Sequence, residues 1–147
     1  MDGLQGEGGA VGKETEEKKE YLRGYQRAKK RERLIMEQIQ QLRMDKMFPC
    51  IQYDGMPHVN NNSDLSEYME KLDELMEKLG KEKLESVKKY TEIQERIKAS
   101  TEGDEREVLE RHYLMGKTWD KIIDEMGYSR TSVFRIHGLA LKKFKIK

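Results

Sequence analysis

From Asp64 to Ala99 the sequence holds no proline, and its apolar residues fall on one narrow helical stripe. Leu65, Met69, Leu72, Met76 and Leu79 keep a and d spacing; after Gly80 the stripe shifts by about one residue and resumes as Leu84, Val87, Tyr90, Gln94 and Ile97. The shift resembles a coiled-coil stutter. Such a helix is about 54 Å long at roughly 1.5 Å per residue. It cannot hide the stripe by itself, so a second long surface must cover it.

The upstream sequence offers that surface. Leu22, Tyr25, Ala28, Ile35, Ile39 and Leu42 recur at spacings near three and four, which predicts an amphipathic helix from about Glu14 to Met47. Glu32 interrupts the pattern, and Gly24 weakens its first turns. The methionines of the long helix read as core filler. Between the two helices runs "FPCIQYDGMPHVNNNS", Phe48 to Ser63. Pro49 and Pro57 stop a helix and Asp54-Gly55 signals a turn, while Phe48, Ile51, Tyr53 and Val59 can pack back. Ser63 or Asp64 caps the next helix, and Asp64 with Glu67 makes an aspartate version of the capping box. The loop favours an antiparallel hairpin. The rival is self-association along the same stripe. A homodimer formed through the long helices on top of the hairpin stays open.

Composition supports an all-α chain. Charged residues make up 39% and hydrophobic ones 35%, which suits narrow stripes better than one large core. The expected division is a disordered lead-in (1–12), the hairpin (13–99, loop 48–63) and a helix-turn-helix module (100–147). No apolar run approaches the roughly 20 residues that cross a bilayer, and no signal peptide is visible, so no membrane is expected. A single cysteine, Cys50, cannot form an internal disulfide, which makes a reducing cytoplasm the expected location. Cys50 and His58 share the loop, yet two ligands do not make a zinc site, and Cys50 has no positioned base. His112 and His137 read as helix-surface or packing residues rather than catalysts. No P-loop, Gly-x-Ser-x-Gly or His-Glu-x-x-His pattern occurs. No enzyme, cofactor or metal is expected.

The net charge of +1 hides an asymmetry. Lys18 to Arg33 holds eight Lys or Arg against Glu20 and Glu32, and reads as a solvated face or a second nucleic-acid contact. Tyr21 and Tyr25 within it read as packing on the partner helix. Asp64 to Glu110 holds fifteen acids against nine bases, whereas Ser129 to Lys147 holds six bases and no acid. That last segment points to nucleic acid.

The segment closes three short helices, near Asp104–Met115, Thr118–Met126 and Ser129–Phe144. Gly127 supplies the left-handed C′ residue of a tight turn. Ile122, Met126, Val133 and Ile136 face one another across the corner, and Trp119, Ile123, Leu139 and Ala140 extend the core against Leu109 and Tyr113. Arg130, Thr131, Phe134 and Arg135 are left outside as base-facing residues. Ser129 and Ser132 at the helix start, His137 at the edge, and Lys142, Lys143 and Lys145 are left for phosphate, with Lys147 adding charge.

The stretch "DEREVLERHYLMGKTWDKIIDEMGYSRTSVFRIHGLALKKF" resembles region 4 of the bacterial sigma-70 family. The resemblance is carried by Arg106 to Leu109, Tyr113, Gly116, Thr118, Ile122, Met126, Gly127, Ser129, Arg130, Val133, Ile136, Ala140, Leu141 and Lys143. It implies binding to double-stranded promoter DNA and contact with the β-flap of RNA polymerase. Ile123 stands where that family usually has Ala, and Phe134 where a polar or basic residue is common. No segment resembles sigma region 2. The whole chain is similar to phage and prophage late-gene regulators of the ArpU and RinA type, to which "YLRGYQRAKKRERLIMEQIQQLR" adds likeness. Two other functions fit the same pattern: a coiled-coil adaptor whose corner binds a protein, and a small-terminase-like packaging factor.

Overall fold

The computed structural model describes residues 2–51 and 62–146, with side chains from Gly12 to Asp45 and from Asp64 to Ile146. The loop features Tyr53, Asp54-Gly55, Pro57, His58 and Val59 lie outside the described residues, as do Lys147 and the side chains of Phe48, Cys50, Ile51 and Ser63. All regular structure among the described residues is helical: α1 (Asp2–Leu22), α2 (Gly24–Ile51), α3 (Asn62–Ser100), α4 (Gly103–Leu109), a π-helical turn (Glu110–Leu114), α5 (Trp119–Met126) and α6 (Arg130–Lys143). The chain is therefore all-α, a long helical hairpin followed by shorter helices.

Several boundaries differ from the sequence reading. α1 begins at Asp2 rather than near Glu14, since propagating a helix costs far less than nucleating one. It yields to α2 at Arg23, beside Gly24, although Arg23 N–H still donates to Lys19 O and Arg27 N–H to Arg23 O, at 2.9 and 3.0 Å. α2 runs to Ile51, two residues past Pro49, and α3 opens at Asn62, just ahead of the expected cap.

By packing, the chain forms two compact units, Ala28–Ser86 and Met1–Arg27 with Val87–Lys147. In the first, the seam residues of α2 are Ala28, Glu32, Ile35, Ile39 and Leu42, with Lys29 half-buried beside them; the buried or half-buried residues of α3 are Tyr68, Leu72, Leu75, Leu79, Glu82 and Ser86. Both series keep an unbroken alternation of three and four, the coiled-coil seam. No stutter occurs at Gly80. The apolar pattern suggested one because the seam continues through the polar residues Glu82 and Ser86. The buried Ser86 hydroxyl donates to Glu32 Oε2 at 3.2 Å, and Lys29 Nζ lies 3.3 Å from the same oxygen. Arg31 pairs with Glu82 at 3.2 Å. Glu32 is thus a partnered seam residue and not an interruption. Met69 and Met76, expected as core filler, are each 47% exposed.

In the second unit Leu22, Ile93, Ile97, Leu109, Tyr113, Leu114, Ala140, Leu141 and Phe144 share one core. Tyr21 packs on Phe144 and Tyr25 meets Tyr90 edge-on, with centroids 5.9 and 5.1 Å apart. The Arg106 guanidinium donates to Lys98 O and Thr101 O at 3.1 and 2.9 Å, capping the end of α3. The C-terminal helices therefore close over α1 and the end of α3 and share their core.

Candidate nucleic-acid interface

The corner between α5 and α6 is built from local rules. Thr118 caps α5 by accepting from Lys121 N–H at 3.3 Å. Gly127 ends it at φ 72°, ψ 20°, and its N–H donates to Ile123 O. A side chain at that φ would be strained, which is why glycine occupies it. Ser129 then caps α6 by accepting from Ser132 N–H at 3.2 Å, and its hydroxyl donates to Ser132 Oγ at 3.0 Å. Ile122 and Val133 are fully buried beneath the turn, with Ile136 beside them. Trp119, Ile123 and Met126 are half-buried at its rim.

On α6 the buried residues are Val133, Ile136, His137, Ala140 and Leu141, with Phe144 at its C-cap. Leu139, expected in the core, falls one step off this face and is 42% exposed. Phe144 fills the end of the core instead. His137, expected at phosphate, is only 8% exposed. Its Nε2 lies 2.9 Å from Tyr113 Oη. Burial, with lesser repulsion from His112, Lys19 and Arg23, pulls its pKa down to about 4, so it stays neutral and cannot serve as a phosphate cation. His112 stacks on Trp119 at 4.0 Å, accounting for the aromatic layer behind α6. Burial also lowers the pKa of His112 and pushes the Tyr113 phenol up to about 12.

The four expected base-facing residues, Arg130, Thr131, Phe134 and Arg135, are all exposed. Phe134 leans edge-on against Trp119 at 5.2 Å, which secures its position on the outer face. Arg130 pairs with Asp120 across the corner, its guanidinium 5.9 Å from the Phe134 ring centroid. Among the described residues Arg135 makes no ion pair. Ser129 is exposed and Ser132 half-buried. Lys142, Lys143 and Lys145 are exposed, and Lys143 Nζ lies 3.0 Å from Glu105. Lys142 and Lys145 line an open groove with Glu14, Glu17 and Lys18 of α1.

Sequence reasoning missed the residues that brace this face from far away in the chain. Lys18 Nζ donates to Leu141 O and Lys142 O, at 2.8 and 3.4 Å, capping the C-terminal carbonyls of α6. Gln26 Nε2 donates to Tyr113 O and Leu114 O, both at 3.2 Å, where the π-helical turn leaves carbonyls open. A Cβ on Gly116, itself at φ 68°, would meet that amide at 3.1 Å. Tyr128 Oη donates to Asp104 at 2.6 Å, tying the corner to α4. Lys117 and Arg111 converge on Glu125, and chiefly the Lys117 contact lowers its pKa. No local pattern announces these partners; the one available signal was the run Val133, Ile136, Ala140, Phe144, which excludes Leu139.

Among the described residues no three His, Cys, Asp or Glu converge as a metal site, and no helix is long and apolar enough to cross a membrane. Neither the curated proteins nor the solved structures give a match to this chain. A family model matches residues 62–145, spanning α3 through α6 and more than half of the chain. With those helices and their shared core in place, the chain belongs to the family described as "Protein of unknown function (DUF1492)".

Proposed function

We propose that this protein is a sequence-specific DNA-binding transcriptional regulator of phage or prophage genes, acting in the bacterial cytoplasm. α6 would enter the major groove of promoter DNA in the manner of sigma region 4. The observation that carries this reading is the outer face of α6. It presents Thr131, Phe134, Arg135 and Lys142 to solvent and holds no acid. Arg135 suits guanine O6 and N7, and Phe134 suits a thymine methyl. The N–H groups of Arg130 and Thr131, which precede the capped Ser132 N–H, suit a phosphate. Lys142, Lys143 and Lys145 add attraction that anchors without reading sequence. Arg130 must leave Asp120 to reach a base, and an exposed pair of this kind resists little. Contact with RNA polymerase through the β-flap follows from the sigma resemblance alone.

A second reading, an adaptor whose corner binds a protein, draws on the fact that Arg130 and Lys143 already have acidic partners. Titration against the upstream DNA of the protein's own operon separates the two. Selective binding should be lost in the Arg130→Ala, Arg135→Ala double variant. Weak binding to any duplex, unchanged by those substitutions, would favour the adaptor.

A further inference from the structure

α3 carries two apolar stripes, and its hairpin seam covers one of them. Leu72, Leu75 and Leu79 lie on the seam, whereas Leu65, Met69, Met76 and Leu84 lie off it, exposed at 51, 47, 47 and 58%. At about 100° per residue these four project into a single sector of the helix, beside the seam. The remaining surface of this segment is mostly Glu and Lys, so a contiguous apolar line through it marks a contact face.

The order of residues along the line selects its occupant. Met69 and Leu84 stand seven and eight residues to either side of Met76, so the stripe reads nearly the same in both directions. Charge adds a polarity. Asp64 to Glu77 holds six acids and one lysine, while Lys78 to Lys89 holds five lysines and two acids. One of those two, Glu82, is already held by Arg31. A parallel copy would set acid on acid and base on base. An antiparallel copy sets each half against its opposite.

We propose that the stripe is covered by a second copy of this chain, its α3 running antiparallel about a two-fold axis at Met76. Met76 then meets its own counterpart, Met69 faces Leu84, and Glu70 and Asp73 on the edge of the stripe face Lys81. A two-fold contact of this kind is self-complementary and closes at the dimer. It is independent of the DNA reading, because neither α5 nor α6 takes part.

Sedimentation of the full chain tests the association, and cysteine crosslinking tests its direction. The wild type should be a dimer that weakens as salt screens the facing charges. Met76→Glu, which sets two carboxylates face to face, should shift dissociation by at least about tenfold, with helical circular dichroism unchanged. In a Cys50→Ser background, Met76→Cys should crosslink to itself on oxidation. Leu65→Cys should not, because the axis holds its two copies about 33 Å apart at roughly 1.5 Å per residue. A monomeric wild type, a dimer indifferent to Met76→Glu, or efficient Leu65→Cys crosslinking, as in a parallel pair, would each overturn the proposal.

Discussion

His137 shows how one residue can look like a ligand and serve as structure. It lies in a basic helix but faces Tyr113, His112 and Trp119, with ring centroids within 6.2 Å. Its pKa falls from the ordinary 6.5 to about 4 in the folded chain. Below pH 6.5 the unfolded chain therefore binds the proton and the folded chain refuses it. Stability is lost as pH drops from about 6.5 towards 4. Between pH 7 and pH 5 this linkage amounts to about 2 kcal/mol. Urea unfolding at those two pH values should show the wild type losing about that much more than His137→Gln. Equal losses would mean that His137 is hydrated in the folded state. The exposure of Arg130, Thr131, Phe134 and Arg135 was legible in the sequence, because it follows from subtracting the corner residues. The burial of His137 was not, since a histidine on an apolar arc reads equally as rim or core until its partner is known.

At the level of elements, the corner was legible where local chemistry dictates it. Thr118, Gly127 and Ser129 each do what their residue types predict. Gly127→Ala adds a Cβ that meets nothing within 4 Å, so its whole cost is the left-handed backbone. Thermal unfolding should register about 1–2 kcal/mol of destabilisation. Gly138, inside α6 and equally unobstructed, gives the opposite sign: Gly138→Ala should add up to about 1 kcal/mol. If both substitutions moved stability in the same direction, the assigned corner would be wrong. The hairpin was less legible. Its seam passes through Glu32, Glu82 and Ser86, which a search for apolar periodicity skips, and so the stripe seemed to shift at Gly80. A buried polar contact such as Ser86 to Glu32 contributes little net stability but penalises other registers, where Glu32 would lose its partners.

For the whole molecule, the notable outcome is the sharing of a core between distant parts of the chain. A boundary near residue 100 is natural in the sequence, because the helical pattern restarts there after "STEG". The core of the C-terminal helices nevertheless includes Leu22, Ile93 and Ile97, all fully buried. Long-range partners of this kind leave no periodic signal, and Lys18 reaching Leu141 is the extreme case. A fragment of residues 100–147 should therefore lack cooperative thermal unfolding, whereas the full chain shows it. Cooperative melting of the fragment at the full chain's temperature would show that α1 and α3 add nothing to it.

On the proposed function, the acid-free face of α6 reads DNA sequence. Selection of duplexes from a random pool by the purified full chain decides it. One motif should be enriched, and Arg135→Ala should relax one position of it, at about 1–3 kcal/mol of discrimination. Recovery of no motif, or of a motif unchanged by Arg135→Ala, would rule out sequence reading by α6.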